Sequence, residues 1–343
     1  MDNLIYSLNA TIPIFIVMVV GYILRRINML TEEFINVANK LTFKMTLPCL
    51  LLLNMLDCDI RHTFDGKYVL YCASVTITCI VVIWVVSKIC FKDKSIVGEF
   101  VQGSYRGSAA ILGIALLTNI SGNANMAPLM MLGSVPLYNI FAVIVLTFEA
   151  PKHQTEDGRG LEAKQQIEVT GKSENETKLI RQLERRKNIK KAMIGICKNP
   201  IILSILGGML LSFFEVEFPT IVYKTVDNVG SLTTPLALLV IGAGFEGKKA
   251  IKKVVPTLAA TFIKLVLQPA LFLPVAVMLG FEPDKLVASL IMLGAPTTAT
   301  SYIMSKNMGH EGVLSSSIIV MTTLLSAFTI TAWIFILKSM NLI

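Results

Sequence analysis

The chain has 343 residues, 54% of them hydrophobic and 16% charged, with a mean hydropathy of +0.67 and a net charge of +8. A soluble protein carries nearer a quarter charged residues, so this composition excludes a soluble two-domain protein and points to the membrane. The basic excess is concentrated in loops between apolar runs, so it reads as membrane orientation and excludes nucleic-acid binding as its meaning.

Taken in order, runs long enough to cross a bilayer of about 30 Å are predicted at 5–24, 34–55, 68–88, 97–119 and 127–148. Five more follow at 200–214, 219–244, 255–280, 286–306 and 313–337. The first run lacks both a basic region before it and a small-residue cleavage site after it, so it is expected to be a permanent span. Twelve Lys and Arg lie between residues 150 and 198, while the opposite face holds Arg61, Lys67, Lys285 and Lys338. By the positive-inside rule both termini are expected outside the cytoplasm. The six cysteines are scattered, without CxxC spacing or a histidine cluster, and read as small core residues.

The hydrophilic segment 150–198 divides the chain into residues 1–149 and 199–343. It reads either as a solvated linker or, over Glu176–Lys191, as a basic amphipathic helix on the membrane surface. Pro13, Gly21, Pro48, Gly107 and Gly122 return 187 residues later as Pro200, Gly208, Pro235, Gly294 and Gly309. The chain therefore reads as two copies of a five-span unit. Five is odd, so the second copy enters the membrane from the opposite side, the inverted arrangement of many transporters.

Candidate functional residues cluster where helices are expected to break. Pro48 and Pro235 fall in the second span of each copy and read as structural kinks or as paired hinges and cavity walls. In the fourth and ninth spans Gly107-Ser108-Ala109-Ala110 stands at the same offset as Gly294-Ala295-Pro296-Thr297. Breaks there are tolerated only where protein or a water-filled cavity satisfies the backbone. Two half-helix N-termini at such a crossing favour an anion. The candidate site is Arg106, Gly107, Ser108, Ala109, Gly294, Pro296, Thr297 and Thr298, with Thr300, Asn139 and Lys264; Asn54 is a further cavity candidate. For Arg106 the alternative is snorkelling, for Lys264 a buried contact with carbonyls, and for Asn54 and Asn139 an interhelical hydrogen bond. Lys44 and Asp227 can serve proton coupling or lie solvated near an interface. Glu99 is placed near the cytoplasmic edge. No HExxH, GxSxG, phosphate-binding glycine loop or paired intramembrane carboxylates occur, so neither an enzyme, a metal site nor a cofactor is expected.

The strings Ile12-Pro13-Ile14-Phe15, Gly21-Tyr22, Leu47-Pro48, Ser104-Tyr105-Arg106-Gly107 and Val135-Pro136-Leu137-Tyr138-Asn139 carry a resemblance over most of the chain. In the second half it continues in Asn199-Pro200, Pro235-Leu236-Ala237, Lys264 with Pro269, and Ala295-Pro296-Thr297. In this the chain resembles the auxin efflux carrier family, which includes plant auxin carriers and bacterial malate and malonate permease-like proteins, and distantly the bile-acid sodium symporters. The resemblance implies an all-α protein of ten spans in two inverted repeats with crossed broken helices in spans 4 and 9. It also implies elevator-type transport of small organic anions, a cell-membrane location and a possible homodimer. Ser108, Ala115 and Ser301 depart from the plant pattern and fit the bacterial branch. Sodium-coupled symport and a ligand-binding membrane sensor acting through the 150–198 loop stand as alternatives.

Overall fold

The computed structural model describes residues 2–57, 65–108, 117, 126–150 and 194–343, and among them every regular element is helical. In the first half these are α1 (Asp2–Arg26), α2 (Glu32–Leu41), α3 (Leu47–Leu56), α4 (Gly66–Cys90), α5 (Val97–Tyr105) and α6 (Ala127–Phe148). The second half holds α7 (Pro200–Phe213), α8 (Thr220–Ser231), α9 (Thr233–Ala243), α10 (Gly247–Lys252), α11 (Val254–Phe262) and α12 (Gln268–Met278). It closes with α13 (Pro283–Gly294), α14 (Thr300–Asn307) and α15 (Val313–Ser339). Among the described residues five helical stretches are long and apolar enough to cross a membrane: α4, α6, the α8–α9 run, the α11–α12 run and α15. The protein is thus a multi-pass, all-helical membrane protein. Ala109, Gly122, Cys58 and nearly all of the 150–198 linker lie outside the described residues.

Helix ends follow local chemistry. Thr31 caps α2 by accepting from Phe34 N, and Asp65 caps α4 by accepting from Lys67 N and Tyr68 N. Asn199 does the same for α7 ahead of Pro200 at the first helical position. The prolines act where a missing N–H leaves a carbonyl free. Pro48 and Pro269 each follow a five-residue π-helical turn, Thr42–Thr46 and Ile263–Leu267. Widening the turn relieves the clash with the carbonyl four residues back. Pro235 sits one turn into α9, just after the interruption at Leu232 that separates it from α8.

The 187-residue offset carries the first residues of α2, α3, α4, α5 and α6 to within one residue of the starts of α8, α9, α11, α13 and α15. Packing follows the same offset. A Cβ on Gly21 of α1 would lie 2.2 Å from Leu239 O of α9, and one on Gly208 of α7 would lie 2.5 Å from Leu52 O of α3. Leu52 and Leu239 are themselves equivalent positions. Each half therefore lays its first helix against the other half's α3 or α9, at a glycine that lets the backbones touch. Thr46 and Thr233, again equivalent, meet directly, Thr233 Oγ1 donating to Thr46 Oγ1 at 2.9 Å.

Two apolar clusters hold the bundle. The larger joins α3–α7 to α12 and α13. The smaller gathers Met18, Ile35, Ile241, Tyr302 and Ile319 from α1, α2, α9, α14 and α15.

Candidate functional site

Helix α5 stops at Tyr105 because Arg106 turns extended, and α13 stops at Gly294 because Ala295 does the same. The two extended segments run antiparallel: Gly107 pairs with Thr297, and Ser108 N donates to Pro296 O at 2.8 Å. Two helix C-termini, each with about half a negative charge and unpaired carbonyls, thus come together in the protein interior.

Every carbonyl of the last α5 turn finds a donor. Arg106 N takes Gln102 O, Thr297 Oγ1 takes Gly103 O at 2.7 Å, Gln268 Nε2 takes Ser104 O at 2.9 Å, and Lys264 Nζ takes Tyr105 O at 3.3 Å. The same ammonium serves α13, donating to Met292 O at 3.2 Å and Leu293 O at 2.8 Å. Lys264 is fully buried in the π-helical turn ahead of Pro269, and all three of its protons are spent on backbone. Of the two readings of Lys264, the structure shows the carbonyl contact. Gly107 packs against this ammonium, where a Cβ would be 3.1 Å from Nζ.

On the other side of the paired segments lies a cavity of about 110 Å³. One face of α3 lines it with Leu47, Leu50, Leu51 and Asn54, and α6 contributes Val135, Tyr138 and Asn139. Both sets have helical spacing. The floor is Arg106, Gly107 and Ser108, and Thr234, Thr298 and Thr300 supply hydroxyls. Thr298 and Thr300, whose Oγ1 atoms are 3.2 Å apart, mark the N-terminus of α14, so the positive end of that helix borders the cavity.

Arg106 is 3% exposed, and its Nη2 donates to Asn139 Oδ1 at 2.5 Å while Nη1 contacts Met304 Sδ. Asn139 is fixed in turn by donating to Val135 O at 2.9 Å. Among the described residues no carboxylate pairs with Arg106. Its guanidinium is held inside, at the cavity, rather than snorkelling.

Of the candidate residues, Arg106, Gly107, Ser108, Asn139, Thr298, Thr300 and Asn54 are brought together at the cavity. Gly294, Pro296 and Thr297 form the paired backbone behind it, Thr297 N also donating to Thr322 Oγ1 at 3.1 Å. Lys44 and Asp227 are exposed and do not line the cavity, and Ala109 lies outside the described residues. Tyr138, Thr234 and the α3 leucines were not singled out, although the 47, 50, 51, 54 spacing marks one helical face. Glu99 is 1% exposed, accepting from Gly312 N at 2.9 Å and Ser315 N at 2.8 Å, where it caps α15.

The family model described as "Membrane transport protein" matches residues 6–334, which bears out the auxin efflux carrier resemblance. A protein of Rhizobium meliloti (strain 1021) named "Putative malonate transporter" is 25% identical over 147 residues. That match spans 42% of this chain and 45% of the relative's own length, so the chain covers less than half of the curated relative it matches.

Proposed function

The chain belongs to the membrane transport protein family, and on that premise we propose that it is a secondary transporter of small organic anions, dicarboxylates such as malonate or malate or auxin-like weak acids. The observation that carries the reading is Arg106, a buried cation at a cavity wall without an acidic partner among the described residues. Such a charge inside a membrane protein is costly, and a substrate carboxylate is the partner that would relieve it. Of five guanidinium donors, two are engaged by described residues, which leaves a fork for a carboxylate. The volume is in keeping: an apolar cavity of about 150 Å³ admits benzene, so about 110 Å³ suits a three- or four-carbon acid.

In this reading the chain has ten spans in two inverted repeats, residues 1–149 and 199–343, and spans 4 and 9 are the broken helices whose ends meet at the paired segments. With both termini outside the cytoplasm, the cavity occupies the outer half, running along α3 from Leu47 to Asn54, about 10 Å at 1.5 Å per residue. The cytoplasmic half is sealed by the smaller apolar cluster and by Asn307 Nδ2 on Asn39 O at 3.1 Å. An elevator step would carry α5, α13 and the helices that Lys264 and Gln268 tie to them past α3 and α9 as one body. Pro48 and Pro235, beside the Thr46–Thr233 contact, are then hinge positions, and a homodimer would hold the static part.

Sodium coupling is a second reading, favoured by two buried oxygens, Gln102 Oε1 and Ser301 Oγ, that have no hydrogen-bond partner among the described residues. Full uptake in sodium-free buffer would exclude it.

The test of the first reading is malonate binding and proteoliposome uptake by Arg106→Gln. Loss of one charge-assisted bond of about 1.5–3 kcal/mol predicts affinity lower by about 10- to 150-fold. The melting midpoint should be kept or raised, because a buried charge has been removed. Unchanged affinity would reject Arg106 as the anion ligand.

A further inference from the structure

A second groove, of about 260 Å³, runs between α1, α9 and α15, away from the central cavity. Its walls are apolar, with Phe15, Val19 and Tyr22 on α1, Ile241 on α9, Phe245 beyond it and Val320 on α15. From Phe15 to Tyr22 it is about 10 Å long. Its floor is rigid: a Cβ on Gly242 would lie 1.8 Å from Met18 O, so α1 and α9 are in backbone contact and cannot close over it.

One end of the groove is cationic. Tyr22 OH accepts from Arg26 Nε at 3.0 Å and Nη2 at 2.7 Å, which swings the guanidinium over the Tyr22 end and leaves three of its donors unspent. Arg26 is exposed and has no acidic partner among the described residues. Lys248 follows directly on Gly247, another wall residue, and is likewise exposed and has no acidic partner among the described residues, the neighbouring Glu246 being taken by Lys249 at 3.0 Å.

An elongated apolar slot ending at two available cations matches an amphiphile with an anionic head. We propose that this groove is a binding site for an anionic phospholipid, with one acyl chain along α1 and the phosphate at Arg26 and Lys248. Arg26 closes α1 and Lys248 stands in the first turn of α10, both at the basic face, where the leaflet is rich in anionic lipid. The inference stands on this groove alone and does not rest on the transport reading.

The experiment is native mass spectrometry of the full chain in detergent with equal phosphatidylglycerol and phosphatidylcholine, and with glycerol phosphate as a head-only probe. The wild type should retain phosphatidylglycerol preferentially and glycerol phosphate hardly at all. Arg26→Gln and Lys248→Gln should each cut that preference by about fivefold. Filling the groove by Val19→Trp should reduce retention of both lipids, and Val320→Phe provides an independent filler should the first fail to fold. Equal retention of the two lipids by the wild type would overturn the proposal, as would a preference surviving in the double charge variant. Fillers that dissociate a dimer while lipid retention stays unchanged would also overturn it, assigning the groove to a second copy of the chain.

Discussion

Replacing Lys264 by methionine removes one ammonium and leaves its three acceptors in place, because backbone carbonyls cannot be mutated away. Met292 O keeps a donor, the Tyr138 hydroxyl at 3.3 Å. Tyr105 O and Leu293 O lose theirs. Each orphaned buried carbonyl costs about 1–3 kcal/mol, so the gross loss is about 2–6 kcal/mol. The ammonium's own desolvation cost disappears in the same step and offsets part of it, but breaking one side of a buried polar pair is the destabilising direction. Thermal unfolding in detergent should show a midpoint several degrees below the wild type. Anion binding should weaken as well, since Arg106 and Gly107 are continuous with the freed end of α5. The pattern differs from Arg106→Gln, in which affinity falls and the midpoint does not. A Lys264→Met protein that melts with the wild type and binds malonate equally would refute the reasoning that this cation holds the two helix ends together.

The adjacent glycines of α7 should behave oppositely. Gly208→Ala drives a Cβ to 2.5 Å from Leu52 O and should prevent folding. Gly207→Ala meets only Leu52 Cδ1 at 3.9 Å and should gain up to about 1 kcal/mol of helix propensity, both read as yield of monodisperse protein and its melting midpoint. Glu99→Gln keeps one acceptor oxygen for two backbone donors, so α15 should lose about 1–3 kcal/mol, measured by hydrogen exchange at Gly312 and Ser315. Outside the spans, Lys253 and then Lys249 hold the Glu311 carboxyl below its ordinary value. Its stabilising contribution is complete above the unfolded carboxylate range, about pH 4.3, and is lost as pH falls through the lowered value. Lys253→Met should therefore flatten the fall of the melting midpoint between about pH 5 and pH 3, and an unchanged slope would count against the pair.

The 187-residue offset between element starts was legible because glycine and proline have backbone roles that survive when side chains drift. Gly21 and Gly208 mark helix contacts, and Pro48 and Pro235 mark the two interrupted runs near Thr46 and Thr233. The helix ends at Tyr105 and Gly294 were legible for the same reason. What the sequence does not reveal is which way a long cation points. Arg106 and Lys264 are both cations in apolar runs, and only packing sends one to the cavity wall and the other to the carbonyls behind it. The capping role of Glu99 was not legible because its partners, Gly312 N and Ser315 N, are more than 200 positions away. Tyr138 and Thr234 went unremarked because an apolar run with one hydroxyl carries no signal until its facing helix is known.

Gly21 against Leu239 and Gly208 against Leu52 are the two sides of a contact that a pair of identical chains would make across a dyad. In such a pair every substitution is made twice. Joined in one polypeptide, the two sides are free to diverge, and the position equivalent to Lys264 is Ile77. The two positions no longer share surroundings: Lys264 is fully buried, whereas Ile77 is 39% exposed. One polypeptide can thus hold at Lys264 a single buried charge that the position 187 residues earlier lacks.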